Sequence, residues 1–404
     1  MVKSFSDKKV MVAGHLCLDI TPKFLTGEKV NISDIFSPGK LTTVDKAVLS
    51  PGGPVPNTGL AMAKLGVDIL LNGKVGKDAF GDIIKEMVGE KRAAAFKTVS
   101  DQNTSYTIVL ALPGIDRFVL HNPATNDTFV ADDIDYEIAK ECMLFHFGYP
   151  PLMRKMFEDD GSELVEIYKR VKDLGVTTSL DMAMPDPSSG SGQANWQTIL
   201  ERVSPYVDIF EPSIEEITYM VDRSLFEKRK AQAKGEDPVL AYKPEDCDAI
   251  AGKLLSLSMK FIAIKCGIRG VYLRTANAEQ IGSIGTACPK DIDSWADREI
   301  WAGSFKTENF ASALGAGDAT IAGFLCGFIG GFTPEESLQI ANIVGWQNVQ
   351  TIDTLSGIKS WQSTLEMLKD KQRPRNPVGL DTDTWRYSES QQVYYGPNDR
   401  LGSG

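Results

Sequence analysis

Short, nearly continuous apolar runs recur along the chain, and amphipathic stretches separate many of them. The clearest runs are Val10 to Ala13, Ile69 to Asn72, Met143 to Phe147, Thr177 to Asp181, Val207 to Phe210 and Phe261 to Cys266. A strand covered on both faces loses the in–out alternation of a half-exposed one, so these runs predict buried parallel strands. Helix patterns lie between them. Asn57 to Leu65 stops at Gly66, and Glu163 to Leu174 stops at Gly175. A glycine just past a helix takes the left-handed turn that closes it. Such alternation predicts a wound α/β sheet with right-handed crossovers.

Two stretches break the rhythm. Residues 22–56 and 102–123 lack long helical patterns and carry short alternating runs such as Thr104 to Val109. They are expected to pair as a small β-lid over the main sheet. The resulting division is core at 1–21, lid at 22–56, core at 57–101, lid again at 102–123, then core with a nucleotide site at 124–370. Residues 371–404 read as an extended C-terminal tail. Ser188 to Gly192 reads as a flexible loop, and 222–244, with Glu227-Lys228-Arg229-Lys230, as a solvated helix or insertion.

Composition narrows the function classes. The 404 residues are 42% apolar and 24% charged, which suits a large globular core and excludes wholesale disorder. The formal net charge is −11, with no long basic run, which disfavours nucleic acid and anionic membrane surfaces as partners. No apolar stretch reaches the roughly 18 residues of a membrane span, and the start of the chain lacks a signal-peptide core. The six cysteines are scattered without a CxxC pair, as expected of reduced thiols in the cytoplasm. With three histidines, no HExxH and no Cys/His cluster along the sequence, a structural zinc site is not expected.

Three segments carry candidate chemistry. Gly315-Ala316-Gly317-Asp318 precedes a run with apolar residues at 321, 324, 325, 328 and 329, the face of a helix. Small residues at a helix N-terminus present backbone N–H groups to an anion, and the helix dipole adds to the attraction. Asp318, in the first turn, can take a proton from an attacking hydroxyl, or it can simply complement the dipole. Pro51-Gly52-Gly53-Pro54-Val55-Pro56-Asn57 opens the next helix. Its glycines allow close approach to the backbone, and Asn57 offers a donor and an acceptor or serves as N-cap. Gly14 to Asp19 follows the first strand, at the sheet end where ligands of open α/β folds bind. Asp19 there can accept two sugar hydroxyls or cap a turn.

In this order and spacing, the segments resemble the PfkB, ribokinase-like, family of carbohydrate kinases, closest in pattern to its fructokinase-like branch. Gly52-Gly53 through Gly66 is similar to its N-terminal signature and Ala313 to Leu325 to its C-terminal one. Gly73 to Gly81, Pro212 to Glu216 and Lys265 to Gly270 resemble intermediate pieces, so the likeness runs over about residues 8–360. It implies a three-layer ribokinase-like fold, with a mostly parallel sheet, flanking helices and a β-lid. It implies ATP-dependent phosphorylation of a sugar hydroxyl, with Asp318 as base and the N–H groups of Gly315, Ala316 and Gly317 as anion hole. Asp19, Gly52, Gly53, Asn57, Arg117 and Asn126 fall on the sugar side. Ser213, Glu216, Lys265, Gly267, Gly270 and Asn342 fall on the nucleotide side, with Glu216 holding Mg²⁺ through water. A homodimer through the lid is compatible with the resemblance.

Three segments depart from the family pattern. Ser312-Ala313 stand where Asp-Thr is usual, which removes a charge from the monovalent-cation site. Ser213 replaces the Asn of N-x-x-E. Pro54-Val55-Pro56 follow the glycine pair where Lys-Gly is frequent. A nucleoside kinase of the same family and a non-catalytic sensor on the same fold stay open as alternatives. A nicotinamide oxidoreductase is disfavoured, because no strand leads into G-x-G-x-x-G with an acidic residue about 20 positions on. The substrate itself stays open among sugars, sugar acids, cyclitols and nucleosides.

Overall fold

The apolar runs become strands close to where the sequence sets them. The computed structural model describes residues 5, 7–25, 35, 37–112 and 118–401. In chain order its strands are β1 (Lys9–Gly14), β2 (Cys17–Phe24), β3 (Val44–Gly52), β4 (Asp68–Asn72), β5 (Lys74–Gly76), β6 (Lys97–Val99), β7 (Tyr106–Leu110) and β8 (Phe118–Asn122). There follow β9 (Leu144–Gly148), β10 (Thr177–Asp181), β11 (Ile209–Phe210), β12 (Phe261–Lys265), β13 (Val271–Thr275), β14 (Glu299–Ala302), β15 (Arg386–Ser388) and β16 (Val393–Tyr395).

Ten of these form one sheet in the order β15-β16-β14-β13-β12-β11-β10-β9-β1-β4. From β4 to β12 all neighbours are parallel, and from β12 to β15 they are antiparallel. The layering can be read on β1. Val10 and Val12 enter one apolar cluster, while Met11 and Ala13 enter another on the opposite face. Both faces are therefore helix-covered, giving three layers. The tail does not stay loose: β15 and β16 close the antiparallel edge of the sheet. Ser188 to Gly192 is also more ordered than expected, because Ser189 caps a short helix, Gly190–Gln193, by accepting from Gly192 N–H.

A second sheet, β3-β2-β7-β8, stands apart from the first. It draws on the two helix-poor segments, of which residues 26–34, 36 and 113–117 lie outside those described. Its strand β2 begins at Cys17, so Asp19 belongs to this sheet and not to the end of β1 as expected. The chain turns at His15-Leu16 and enters the small sheet at once.

Four helices hold the site. These are α1 (Pro54–Lys64), α2 (Ile214–Val221), α3 (Ala316–Gly330) and α4 (Pro334–Asn348). Helix α1 starts three residues before the expected Asn57, because Pro54 at its first position already has the helical φ and lacks only an amide that would go unpaired. Asn57 is thus inside the helix and is not its cap. Helices α3 and α4 pack very closely. A Cβ on Gly323 would lie 2.8 Å from Ala341 Cα, and one on Gly327 2.8 Å from Ser337 Cα. Thr333 and Glu336 form the capping box of α4. Among the described residues, no helix is long and apolar enough to cross a membrane.

Candidate active site

The parallel strands β1, β9, β10 and β12 end on one edge of the main sheet, at Gly14, Gly148, Asp181 and Lys265. The register aligns Gly14 with Gly148 and Gly148 with Asp181. The N-terminal ends of α1 and α3 meet at this edge, and Asp318 lies where they meet.

Asp318 is the third residue of α3 and only 1% exposed. Three side chains donate to its carboxylate: Asn57 Nδ2 at 3.0 Å, Thr58 Oγ1 at 3.3 Å and Tyr149 Oη at 3.1 Å from both oxygens. Burial pushes its pKa up, against these hydrogen bonds and the charge of Lys265, which pull it down; the net direction is up. A buried carboxylate held by neutral donors, with its proton affinity raised, suits a general base. Tyr149 follows Gly148 in the left-handed region, φ 63° and ψ 46°, a conformation that costs a non-glycine residue on the order of 1–3 kcal/mol. Burial, followed by the charge of Asp318, holds its phenol protonated.

Beside Asp318 opens a cavity of about 810 Å³. Its walls include Gly315, Ala316 and Gly317, together with every residue expected on the nucleotide side: Ser213, Glu216, Lys265, Gly267, Gly270 and Asn342. Gly315 caps α3 with φ 71°. Ala316 N–H, expected in the anion hole, instead donates to Ala313 O at 3.1 Å and so closes the turn. An anion hole at this turn would be left to the neighbouring amides, since the first-turn N–H groups of a helix lack intrahelical acceptors.

Lys265 passes under this turn, its Cε 3.6 Å from where a Cβ of Gly317 would be. Its ammonium donates to Asp181 and to the Glu211 carbonyl. Burial opposes its charge, but Asp181 and Glu216 outweigh it and keep the ammonium protonated. Glu216 and Ser213 form the capping box of α2, with Ser213 N–H donating to Glu216 Oε2 at 2.6 Å. Asn342 donates to Ala302 O at 3.0 Å while lining the apolar end near Phe305 and Trp346.

The described residues expected to meet sugar are not among those lining this cavity. Gly52 and Gly53 are dictated by crowding: a Cβ on Gly52 would stand 2.3–2.5 Å from the carboxylate atoms of Asp19, and Gly53 has φ 91° with His15 at 2.6 Å. Asp19 is half-buried on β2. Asn57 has one amide end on Asp318, while its buried Oδ1 has no partner among the described residues.

One expectation changes here. Asn126 is fully buried, and its amide is engaged by the backbone of Leu16, accepting from N–H at 3.1 Å and donating to O at 3.0 Å. It fixes the turn into β2 and is not presented to a ligand. Arg117 lies outside the described residues. Tyr149, Thr58 and Asp181 were not anticipated. Their signal is positional, since Tyr149 follows β9, Asp181 ends β10, and both strands finish at the ligand edge.

The model of the pfkB family carbohydrate kinases matches residues 8–361, most of the chain and every element that positions the candidate site. The chain belongs to this family. As a family member it is a carbohydrate kinase of the ATP-dependent kind. An uncharacterized sugar kinase of Archaeoglobus fulgidus is 22% identical over 300 residues, 74% of this chain and 98% of that protein. Two solved structures have the same fold with a TM-score of 0.65 and 18% identity. Arabidopsis thaliana ribokinase, complexed with ribose and ATP, matches over 90% of this chain and 99% of its own. Fructokinase from Xylella fastidiosa, with bound ATP, matches over 92% and 100%. At that identity the two structures establish the ribokinase-like fold, and the roles of single residues rest on this chain's own geometry.

Proposed function

We propose that this pfkB-family kinase transfers the γ-phosphoryl group of ATP to one hydroxyl of a small sugar or sugar-like molecule, with Asp318 as the base. The observation that carries this reading is the position of Asp318. It sits next to Gly317 of the cavity wall and accepts from Asn57, on the helix that Gly52 and Gly53 lead into.

Asp19 accepts hydrogen bonds from substrate hydroxyls, and Asn57 Oδ1, buried without a partner, accepts another. These contacts bring the reactive hydroxyl to Asp318. The carboxylate takes its proton as the oxygen attacks, and Tyr149 and Thr58 keep the carboxylate aimed. Amides of the first turn of α3, with the Lys265 ammonium beneath them, stabilise negative charge on the transferred group. Phosphoryl transfer is catalysed mainly by such positioning and electrostatics. The adenine fits the apolar end near Phe305 and Trp346. Mg²⁺ is a hard cation that keeps most of its waters, and a carboxylate on the cavity wall is the donor it needs. Glu216 fits that part through the oxygen not held by Ser213 N–H, and the ion when bound offsets phosphate charge.

We read residues 22–56 and 102–123 as a lid over the sugar. Exposed Val48, Leu49, Val119 and Leu120 on its sheet support pairing with a second copy. Reliance on ATP and six unpaired thiols supports a cytoplasmic setting. The test is ADP formation across ketoses, aldoses, sugar acids, cyclitols and nucleosides. Turnover confined to nucleosides would convert the reading to a nucleoside kinase. Tight binding of ATP and sugar without turnover would convert it to a sensor.

A further inference from the structure

The turn into β2 brings together three side chains to which the proposed kinase reaction gives no role, although Cys17 donates to Asp19 Oδ1 and His15 lies against Gly53. His15 Nε2 and His121 Nε2 face each other at 3.3 Å, and Cys17 Sγ completes a set whose ligand atoms all lie within 4.8 Å of one another. The chain has only three histidines, so two of them share this spot. His15 belongs to the loop after β1, Cys17 to β2 and His121 to β8. We propose that His15, Cys17 and His121 form a binding site for a divalent cation of the Zn²⁺ type, tying the main sheet to the small one.

The spacing fits. Two imidazole nitrogens held tetrahedrally at about 2.0–2.1 Å from Zn²⁺ stand about 3.3–3.4 Å apart. A set of two imidazoles and one thiolate is soft and selects late first-row metals over Mg²⁺ or Ca²⁺. Three protein ligands leave a fourth position for water or a hydroxyl.

The hydrogen bonds around His121 match its ligating form, whereas the Cys17 thiol donates to Asp19 Oδ1 at 3.4 Å and must give up that proton when a cation binds. Thr107 Oγ1 lies 3.0 Å from His121 Nδ1 and 3.4 Å from Cys17 Sγ. His121 Nδ1–H donates to Thr107, and the Thr107 hydroxyl donates to sulfur. That relay directs the His121 Nε2 lone pair toward His15 and supports a thiolate, the form left when the thiol proton passes to solvent. Behind a metal ligand such partners are the rule. His15 Nδ1 is buried with no hydrogen-bond partner among the described residues. No protein acceptor fixes its tautomer, so the ring proton can sit there and leave Nε2 to the cation. Without a cation, one Nε2 must donate to the other.

The test uses the full chain freed of metal with a chelator and needs no activity measurement. Titration calorimetry with Zn²⁺ is expected to give one saturable site that excess Mg²⁺ does not displace. Co²⁺ in its place is expected to give a near-ultraviolet thiolate-to-metal band and visible bands of tetrahedral strength. Cys17→Ser and His121→Ala should abolish the thiolate band and lower Zn²⁺ affinity by more than the ~10–100-fold expected for Thr107→Val. His121 is on an exposed edge strand, so His121→Ala decides the matter if Cys17→Ser fails to fold. No saturable Zn²⁺ heat, or wild-type affinity retained in the folded His121→Ala variant, overturns the site. A Mg²⁺-displaceable site overturns the assigned chemistry. None of these outcomes depends on whether Asp318 is the base.

Discussion

Replacing Asp318 by Asn separates proton abstraction from everything else that the residue does. The carboxylate accepts from Asn57, Thr58 and Tyr149. An amide of the same shape has one acceptor and brings two donors, which at first sight opposes three donors to a donor. The surroundings can adapt. Asn57 Oδ1 is buried without a partner among the described residues, so flipping the Asn57 amide turns an acceptor toward the new NH₂. The Thr58 and Tyr149 hydroxyls can rotate, since each both donates and accepts. Removing a buried charge also lifts a desolvation cost. The variant should therefore melt within a few degrees of wild type, a change of about 1 kcal/mol or less. Asp318→Ala is different: it leaves three buried donors unmatched, at about 1–3 kcal/mol each. For Asp318→Asn, loss of the base should lower kcat by about 10²–10⁴-fold, roughly 3–5 kcal/mol of barrier. ATP affinity should hold or rise, because the anion hole is backbone and a negative charge beside it has gone. The assay is kcat on the best substrate, beside nucleotide calorimetry and a melting curve. A variant that melts normally, binds ATP and turns over near the wild-type rate would refute the argument. Asp318 would then only complement the α3 dipole.

Four further outcomes follow from the same geometry. Gly52→Ala puts a Cβ into the Asp19 carboxylate, so the sugar KM should rise roughly tenfold or more with the ATP KM unchanged, read from initial rates. Tyr149→Phe removes a hydrogen bond that lowers the Asp318 pKa, so the pKa should rise further. Activity, present above it, should then be lost at higher pH on acidification than in wild type, and an unmoved acid limb in the kcat–pH profile would exclude Asp318 as the titrating group. Gly323→Ala drives a methyl into the α4 backbone and should cost about 1–3 kcal/mol in denaturant melts, with little change in KM if α3 keeps its place. Rates should respond weakly to K⁺ against a bulky organic cation, because Ser312 lacks the charge that would balance it; large, saturable activation would show that other groups rebuild that site.

The layered fold was legible because buried parallel strands are written in runs of apolar residues, and six such runs correspond to β1, β4, β9, β10, β11 and β12. What escaped has a physical reason in each case. Strands β15 and β16 are short, polar-flanked and dependent on β14 for pairing, so no periodicity marks them. A Pro-Val-Pro run reads as extended and so puts the start of α1 at Asn57, whereas a proline at the first helical position is well placed. Asp19 was set at the end of β1 because two residues, His15 and Leu16, are too few to show in a pattern as a turn between sheets.

The candidate site divides along the same line. Residues whose part is played by backbone and crowding were legible, because glycines at a turn and a helix start constrain the chain locally: Gly52, Gly53 and Gly315 are where their surroundings require them. Residues whose part depends on side chains meeting from distant segments were not. Tyr149 and Thr58 reach Asp318 from 169 and 260 positions away, and nothing near either residue announces it. Asn126 shows the converse. Its neighbourhood suited a sugar contact, yet a buried amide must first satisfy itself, and the Leu16 peptide does so at both ends. Asn57 escapes that fate because helix α1 orients one end of its amide to Asp318 and leaves the other without a protein partner among the described residues. An unmatched buried acceptor beside the Asp318 carboxylate is a standing cost of about 1–3 kcal/mol, and under the proposed function one substrate hydroxyl that donates to it gains affinity while a different hydroxyl is left to give its proton to Asp318.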